Sequence, residues 1–317
     1  MESSRAYAPG VRSGTVRREE LLALAAALVT VALWASAFVG IRSAGRDFSP
    51  GALTLFRMAV GAIVLGAVIA IRREPLPARR DLPLIALCGV LWFGIYSVAL
   101  NEAERRVDAG TAAMLVNIGP IFIAVLAGLI LGEGFPRPLF AGCAIAFAGV
   151  VIIGLATSES GAHAGWGAVL CIVAALAYSS AVVAQKPLLT RVSALQITFV
   201  ACSVGAIVCL PFAPQLTHEL GDARGSAIEW TLYLGVFPTA FAFTTWAYAL
   251  ARTTAGRMGS ITYLAPPLAI IMGWAILGES PPALAFAGGA LCLVGVLVAR
   301  GQVQRLRRRA PAAAPGA

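Results

Sequence analysis

Ten apolar runs, each about as long as a helix that crosses a bilayer, leave this chain few ways to fold. A crossing helix needs about 20 apolar residues. The runs are 21–41, 51–71, 82–101, 109–131, 136–156, 166–187, 193–213, 228–250, 257–277 and 281–299, numbered 1 to 10 in chain order. The connections are short and carry breakers: Ser49-Pro50, Pro75 and Pro77, Pro136 and Pro138, Pro281-Pro282. Only 12% of the 317 residues are charged, against about 25% in a soluble domain. So few charges cannot cover a water-soluble surface. The expected fold class is an all-α integral membrane protein of ten transmembrane helices.

The flanking segments 1–20 and 301–317 are polar, Arg-rich and Pro/Ala-rich, and are expected to be disordered basic tails. A basic start, an apolar run and Ala35-Ser36-Ala37 imitate a signal peptide. Run 1 continues to Ile41, however, and has a counterpart in the second half, so it is expected to stay as a span. Orientation follows from the arginines. With a cytoplasmic N-terminus, 18 of the 24 basic residues fall in inner loops and tails. Five fall outside (Arg42, Arg46, Arg105, Arg106, Arg224), and Arg57 lies within run 2. The positive-inside rule thus expects an inner-membrane protein with both termini in the cytoplasm and an even number of spans.

The net charge of +9 does not point to nucleic acid, because no basic face with interleaved aromatics exists. The bilayer is the expected partner. The six cysteines lie inside apolar runs without a Cys-x-x-Cys pair, which suits helix packing. Neither a metal nor a cofactor is expected.

Shifting the chain by 146 residues aligns its halves. Gly89-Val90 meets Gly235-Val236, Ala109-Gly110 meets Ala255-Gly256, and Pro120 meets Pro266. Ile130-Leu131-Gly132-Glu133 meets Ile276-Leu277-Gly278-Glu279, Phe140-Ala141-Gly142 meets Phe286-Ala287-Gly288, and Gly149-Val150 meets Gly295-Val296. Near the start of each half the shift is 144, pairing Trp34, Ser36, Ala37 and Val39 with Tyr178, Ser180, Ala181 and Val183. The expected units are 21–156 (runs 1–5) and 166–300 (runs 6–10). Five is odd, so the second copy enters from the opposite side. Two inverted five-helix repeats are the architecture of secondary transporters, with the site near mid-membrane where the repeats meet.

The residues Trp34-Ala35-Ser36-Ala37-Phe38, Arg57, Asn101-Glu102-Ala103, Ala109-Gly110, Pro120 and Leu131-Gly132-Glu133 resemble the EamA-like family of the drug/metabolite transporter superfamily. Tyr248-Ala249-Leu250, Ala255-Gly256, Pro266 and Leu277-Gly278-Glu279 repeat the pattern. The resemblance spans about residues 21–300. It implies export of small metabolites such as amino acids, by alternating access, through a cavity lined by runs 1, 3, 4, 6, 8 and 9. Short members of the superfamily dimerise; this chain holds both halves, so a monomer suffices and a dimer stays open.

Matched proline breaks are the best sequence pointer to a transporter site. Pro120 lies midway along run 4, and Pro266-Pro267 midway along run 9. Proline removes a donor and frees a carbonyl one turn earlier, which a membrane tolerates only against protein or a watery cavity. Helical spacing puts Gly110, Met114, Asn117 and Ile121 on one face, matched by Gly256, Ser260, Tyr263 and Pro267. Packing, with the glycines allowing close approach, is the competing role. Trp34, Ser36, Tyr178 and Ser180 occupy matched places in runs 1 and 6; Trp92, Tyr96 and Ser97 lie in run 3, and Thr245 in run 8. Aromatic walls with scattered hydroxyls suit neutral, zwitterionic or aromatic solutes. Trp230, Trp246 and Tyr248 lie nearer span ends and are expected to anchor at the interface.

Arg57 is the basic side chain set well inside a run, and intramembrane charges mark function by default. Its depth of about 10 Å allows snorkelling outward, and its counterpart is read as Phe199. No Asp or Glu lies mid-run, and Glu102, with Glu104 close by, is the nearest candidate for proton transfer. Glu133 and Glu279 are expected to end helices and hold the next N-terminus. No catalytic motif appears, nor a filter loop or charged ring, so an enzyme or channel is disfavoured, and a membrane scaffold is the remaining alternative.

Overall fold

A computed structural model describes residues 11–130, 137–158, 162–252 and 262–309, and every regular element among them is helical. Six helices are long and apolar enough to cross a membrane: Leu21–Ala44, Pro50–Arg72, Leu82–Ala103, Ala109–Ile130, Gly165–Thr190 and Gly225–Arg252. A seventh candidate, Ala194–Val208 with Leu210–Asp222, bends by 49°. Shorter apolar helices, Ala144–Ile153, Ala265–Leu277 and Ala283–Gly295, fall within runs 5, 9 and 10. Large apolar side chains such as Ile63, Phe147 and Trp274 face outward, as they must where the solvent is lipid tails rather than water. The chain is a multi-pass membrane protein.

Two expectations change. Helix Val11–Ala44 begins ten residues before run 1, and Ala283–Arg309 continues past run 10, so parts of both tails are helical rather than disordered. Each added turn extends an existing helix and escapes the cost of nucleation. At the end of run 7, Pro211 sits in a 3-10 turn and Pro214 lies in the first turn of the amphipathic helix Ala213–Asp222.

Glycine contacts hold the bundle together, and they fall on positions related by the sequence shift. A Cβ added at Gly149 would lie 2.5 Å from the Gly288 carbonyl, and one at Gly295 would lie 2.6 Å from that of Gly142. These are the 146-shifted pairs of one another. Between them, the Cys292 thiol donates to the carbonyl of its own counterpart, Ala146, at 3.3 Å. The same exchange recurs elsewhere. A Cβ on Gly89 in run 3 would meet the Ala201 carbonyl and Val204 of run 7, and one on Gly235 in run 8 would meet the Arg57 carbonyl and Val60 of run 2. This pairing matches Arg57 with Ala201, not Phe199. Cys202 likewise donates to the carbonyl of its counterpart Met58, at 3.3 Å.

Runs 3 and 8 share a further feature. Each carries a π-helical segment opening on its matched glycine, Gly89–Tyr96 and Gly235–Phe241. Such segments widen a helix by one residue and re-aim its side chains, often at functional sites.

Candidate functional site

The π segment of run 3 turns Trp92 and Tyr96 inward, where residues of runs 1, 6 and 8 meet them. Trp34 lies 6.3 Å from Trp92, 5.3 Å from Phe243 and 5.0 Å from Trp246, ring centre to ring centre. Trp92 contacts Phe243 edge-on at 4.9 Å and Tyr178 at 6.0 Å. Tyr178 in turn meets Tyr96 at 5.8 Å. These tilted and edge-to-face geometries are those that aromatic quadrupoles favour. Trp246 therefore belongs to the central cluster and is not an interface anchor, because the widened helix of run 8 rotates it inward. Tyr248 is covered by the Arg252 guanidinium, 3.7 Å above its ring.

The cluster carries unused polar groups. The indole N–H groups of Trp34 and Trp246 and the Asn117 Oδ1 are buried without a hydrogen-bond partner among the described residues. Buried polar groups are nearly always paired, and an orphan donor costs about 1–3 kcal/mol. Three such atoms lie in or beside one aromatic cluster. Hydroxyls nearby are paired: Thr245 with Thr30 at 2.7 Å, and Ser36 with Tyr233 at 2.6 Å.

Run 4 breaks where its proline requires. Helix Ala109–Val116 stops at Asn117, and Gly119–Ile130 begins one residue before Pro120. The break is braced from run 6: Ser179 donates to the Gly119 carbonyl at 3.0 Å, and a Cβ on Gly119 would lie 1.9 Å from the Tyr178 hydroxyl. In run 9 the 3-10 turn Thr262–Leu264, which contains Tyr263, precedes helix Ala265–Met272 with Pro266 and Pro267 in its first turn.

Of the candidate residues, Trp34, Trp92, Tyr96 and Tyr178 converge, with Asn117 at the neighbouring break. Met114 packs on run 10, where a Gly289 Cβ would approach its sulfur to 2.1 Å. Ser180 bonds the Leu176 carbonyl of its own helix, and Ser97 the Trp92 carbonyl within run 3. Ser260, Gly256 and Glu133 lie outside the described residues. Ser179, Tyr233 and Phe243 were not foreseen; the π segments that aim run 8 leave no mark beyond the repeated Gly-Val.

Arg57 does not snorkel. It is 4% exposed, and its Nε donates to Thr239 Oγ1 in the π segment of run 8 at 2.8 Å. The partner lies on the adjoining helix of run 8, so the side chain is held within the protein.

Several ion pairs lie on the side that the arginine distribution assigns to the outside. Arg42 Nε donates to both oxygens of Glu279 at 3.0 Å, and its Nη1 donates to the Glu104 carbonyl. Glu279 thus ties run 9 to run 1 instead of holding the start of run 10. Beside this pair lies a cavity of about 190 Å³ lined by Arg42, Arg46, Glu104, Arg105 and Glu279. Asp47 pairs with Arg224 at 2.9 Å. Loops assigned inward meet each other instead, with Arg191 on Asp81 at 2.6 Å.

The sequence profile of the EamA-like transporter family matches residues 21–155 and again 165–301. The chain belongs to this family. A protein of Streptantibioticus cattleyicolor named "Probable terminal-alkyne amino-acid exporter" is 38% identical to this EamA-like chain, over 92% of it and 97% of its own length. An uncharacterised transporter of Bacillus subtilis is 31% identical over 88% of this chain and 90% of its own. A "Probable amino-acid metabolite efflux pump" of Salmonella typhimurium is 23% identical, over 86% and 92%. One crystal structure superposes with a TM-score of 0.62, covering 90% of this chain and 98% of its own at 21% identity. At that identity the likeness speaks to fold alone.

Proposed function

We propose that this EamA-like chain is a secondary exporter, not an enzyme, that moves small metabolites such as amino acids across the cytoplasmic membrane. It works by alternating access between two inverted five-helix repeats, residues 21–156 and 166–300, with both termini in the cytoplasm. The exchanged glycine contacts, the matched π segments and the two profile matches support the duplication. The shorter apolar helices in runs 5, 9 and 10 supply the spans that bring the total to ten.

The observation that carries the reading is the aromatic cluster with its unpaired indole donors beside a broken helix. A carboxylate entering between Trp34 and Trp246 would take up both N–H groups, and an apolar side chain would lie on the rings of Trp92 and Phe243. The substrate names of the relatives are consistent with such a solute. Here the rings close on one another, which describes an occluded centre. The Arg42–Glu279 pair closes the outer side; it is partly exposed, and such pairs are worth about 0–1 kcal/mol, weak enough to break in each cycle.

Tryptophan fluorescence tests the site directly. Titrating an amino-acid panel into the purified protein is expected to give a saturable change that Trp34→Phe with Trp246→Phe removes or weakens. Unchanged affinity in that double variant would move the site elsewhere.

A further inference from the structure

Glu104 follows the last turn of helix Ser97–Ala103, where its N–H bonds the Leu100 carbonyl at 2.9 Å. A helix C-terminus disfavours negative charge. The residue is 1% exposed, and neither carboxyl oxygen has a hydrogen-bond partner among the described residues. An ionised carboxylate only accepts, so it needs donors. None reaches it.

None of the cations around it donates to its carboxyl among the described residues. Arg42 gives its Nε to Glu279 and its Nη1 to the backbone carbonyl of Glu104. Arg57 gives its Nε to Thr239, leaving a buried Nη1 without a partner. Arg46 and Arg105 line the adjoining cavity. Glu279 and Asp108 add negative charge, and Asp108 is occupied capping Thr111. Tyr96 and Cys171 complete the ionisable neighbours. Burying an unpaired charge is far costlier than burying a neutral acid. Burial accordingly holds the Glu104 carboxyl well above the usual carboxylate range; Arg42 and Arg57 oppose this, while Glu279 and Asp108 reinforce it. Glu102, the closer candidate by sequence, is instead paired with Arg106 one turn on, and is partly exposed.

We infer that Glu104 is a proton-binding site linked to closure of the outer mouth, holding a neutral carboxylic acid when the mouth is closed and a carboxylate when it is open. Opening would part Arg42 from Glu279, widen the cavity that Glu104 already borders and hydrate the carboxyl. The proton then passes from the carboxyl to water, and closing takes one back. The meaning of open and closed rests on the transporter reading. Acid outside favours the closed mouth, and one linked proton shifts the balance by up to about tenfold per pH unit.

Infrared difference spectroscopy on the full chain in lipid nanodiscs tests the proton. A protonated-carboxyl band at neutral pH is expected in the wild type, lost in Glu104→Gln and kept in Glu102→Gln. Its absence, or its survival in Glu104→Gln, overturns the assignment. Ile41→Cys, at a cavity-lining position only 1% exposed, then reports the mouth. Its maleimide labelling rate, divided by that of the same cysteine with Glu104→Gln, is expected to rise with pH, and a ratio flat in pH overturns the linkage. Thermal melting of Glu104→Gln checks its fold, with Glu104→Asp restoring the band if the isostere melts early. Neither readout needs a transported solute. A failure here therefore leaves the transporter reading standing, and absent flux with both signals present would count against transport alone.

Discussion

Trp34 packs at the centre and is proposed to serve recognition as well. Its ring fills the centre, and its N–H stands unpaired. Trp34→Phe keeps most of the ring and removes the donor, so stability is expected to hold or rise slightly, because an unmet donor is lost. Solute affinity is expected to fall about tenfold, the equivalent of 1.4 kcal/mol. Melting and KM, measured on the same preparation, check the two arms. Gly119 is a second such residue. Gly119→Ala would drive a methyl group into the Tyr178 ring, with an expected cost of about 1–3 kcal/mol. A double-mutant cycle with Tyr178→Ala should recover much of that cost, and strict additivity of the two changes would contradict the contact.

Among the elements, runs 5 and 10 depend on glycine at the points where backbone meets backbone. Gly288→Val is expected to lower the melting temperature markedly, whereas Gly221→Ala, with open space around it, should be neutral or stabilising by up to about 1 kcal/mol. Equal effects would mean that the close approach is unimportant. Much at this scale is legible in the sequence. Length and hydropathy mark where helices lie, and Pro120 and Pro266 mark where they break, because both signals are local. The π segments are not legible, since they arise from how neighbouring helices crowd Gly89 and Gly235. Trp246 was misplaced for that reason: its position was judged from distance to a span end, while its direction is set by a widening that ends five residues earlier. Glu104 ranked behind Glu102 for a related reason. Sequence placed it near the surface, and only the packing of run 3 against Arg42 and its neighbours buries it.

For the whole molecule, the account requires the outer side to open and close. Arg42→Cys with Glu279→Cys, bridged by a short cleavable bis-thiosulfonate, is expected to stop flux, and reduction should restore it. Flux that continues through the bridge would remove the closing role of that pair. Under the proposed reading, the two halves of one chain carry out such a cycle together. The most direct measurement is flux itself: labelled amino acids loaded into proteoliposomes, wild type against Trp34→Ala with Trp246→Ala, with insertion verified for both. The account predicts saturable flux in the wild type that collapses in the variant. Equal flux in both proteins would contradict a site at the aromatic cluster.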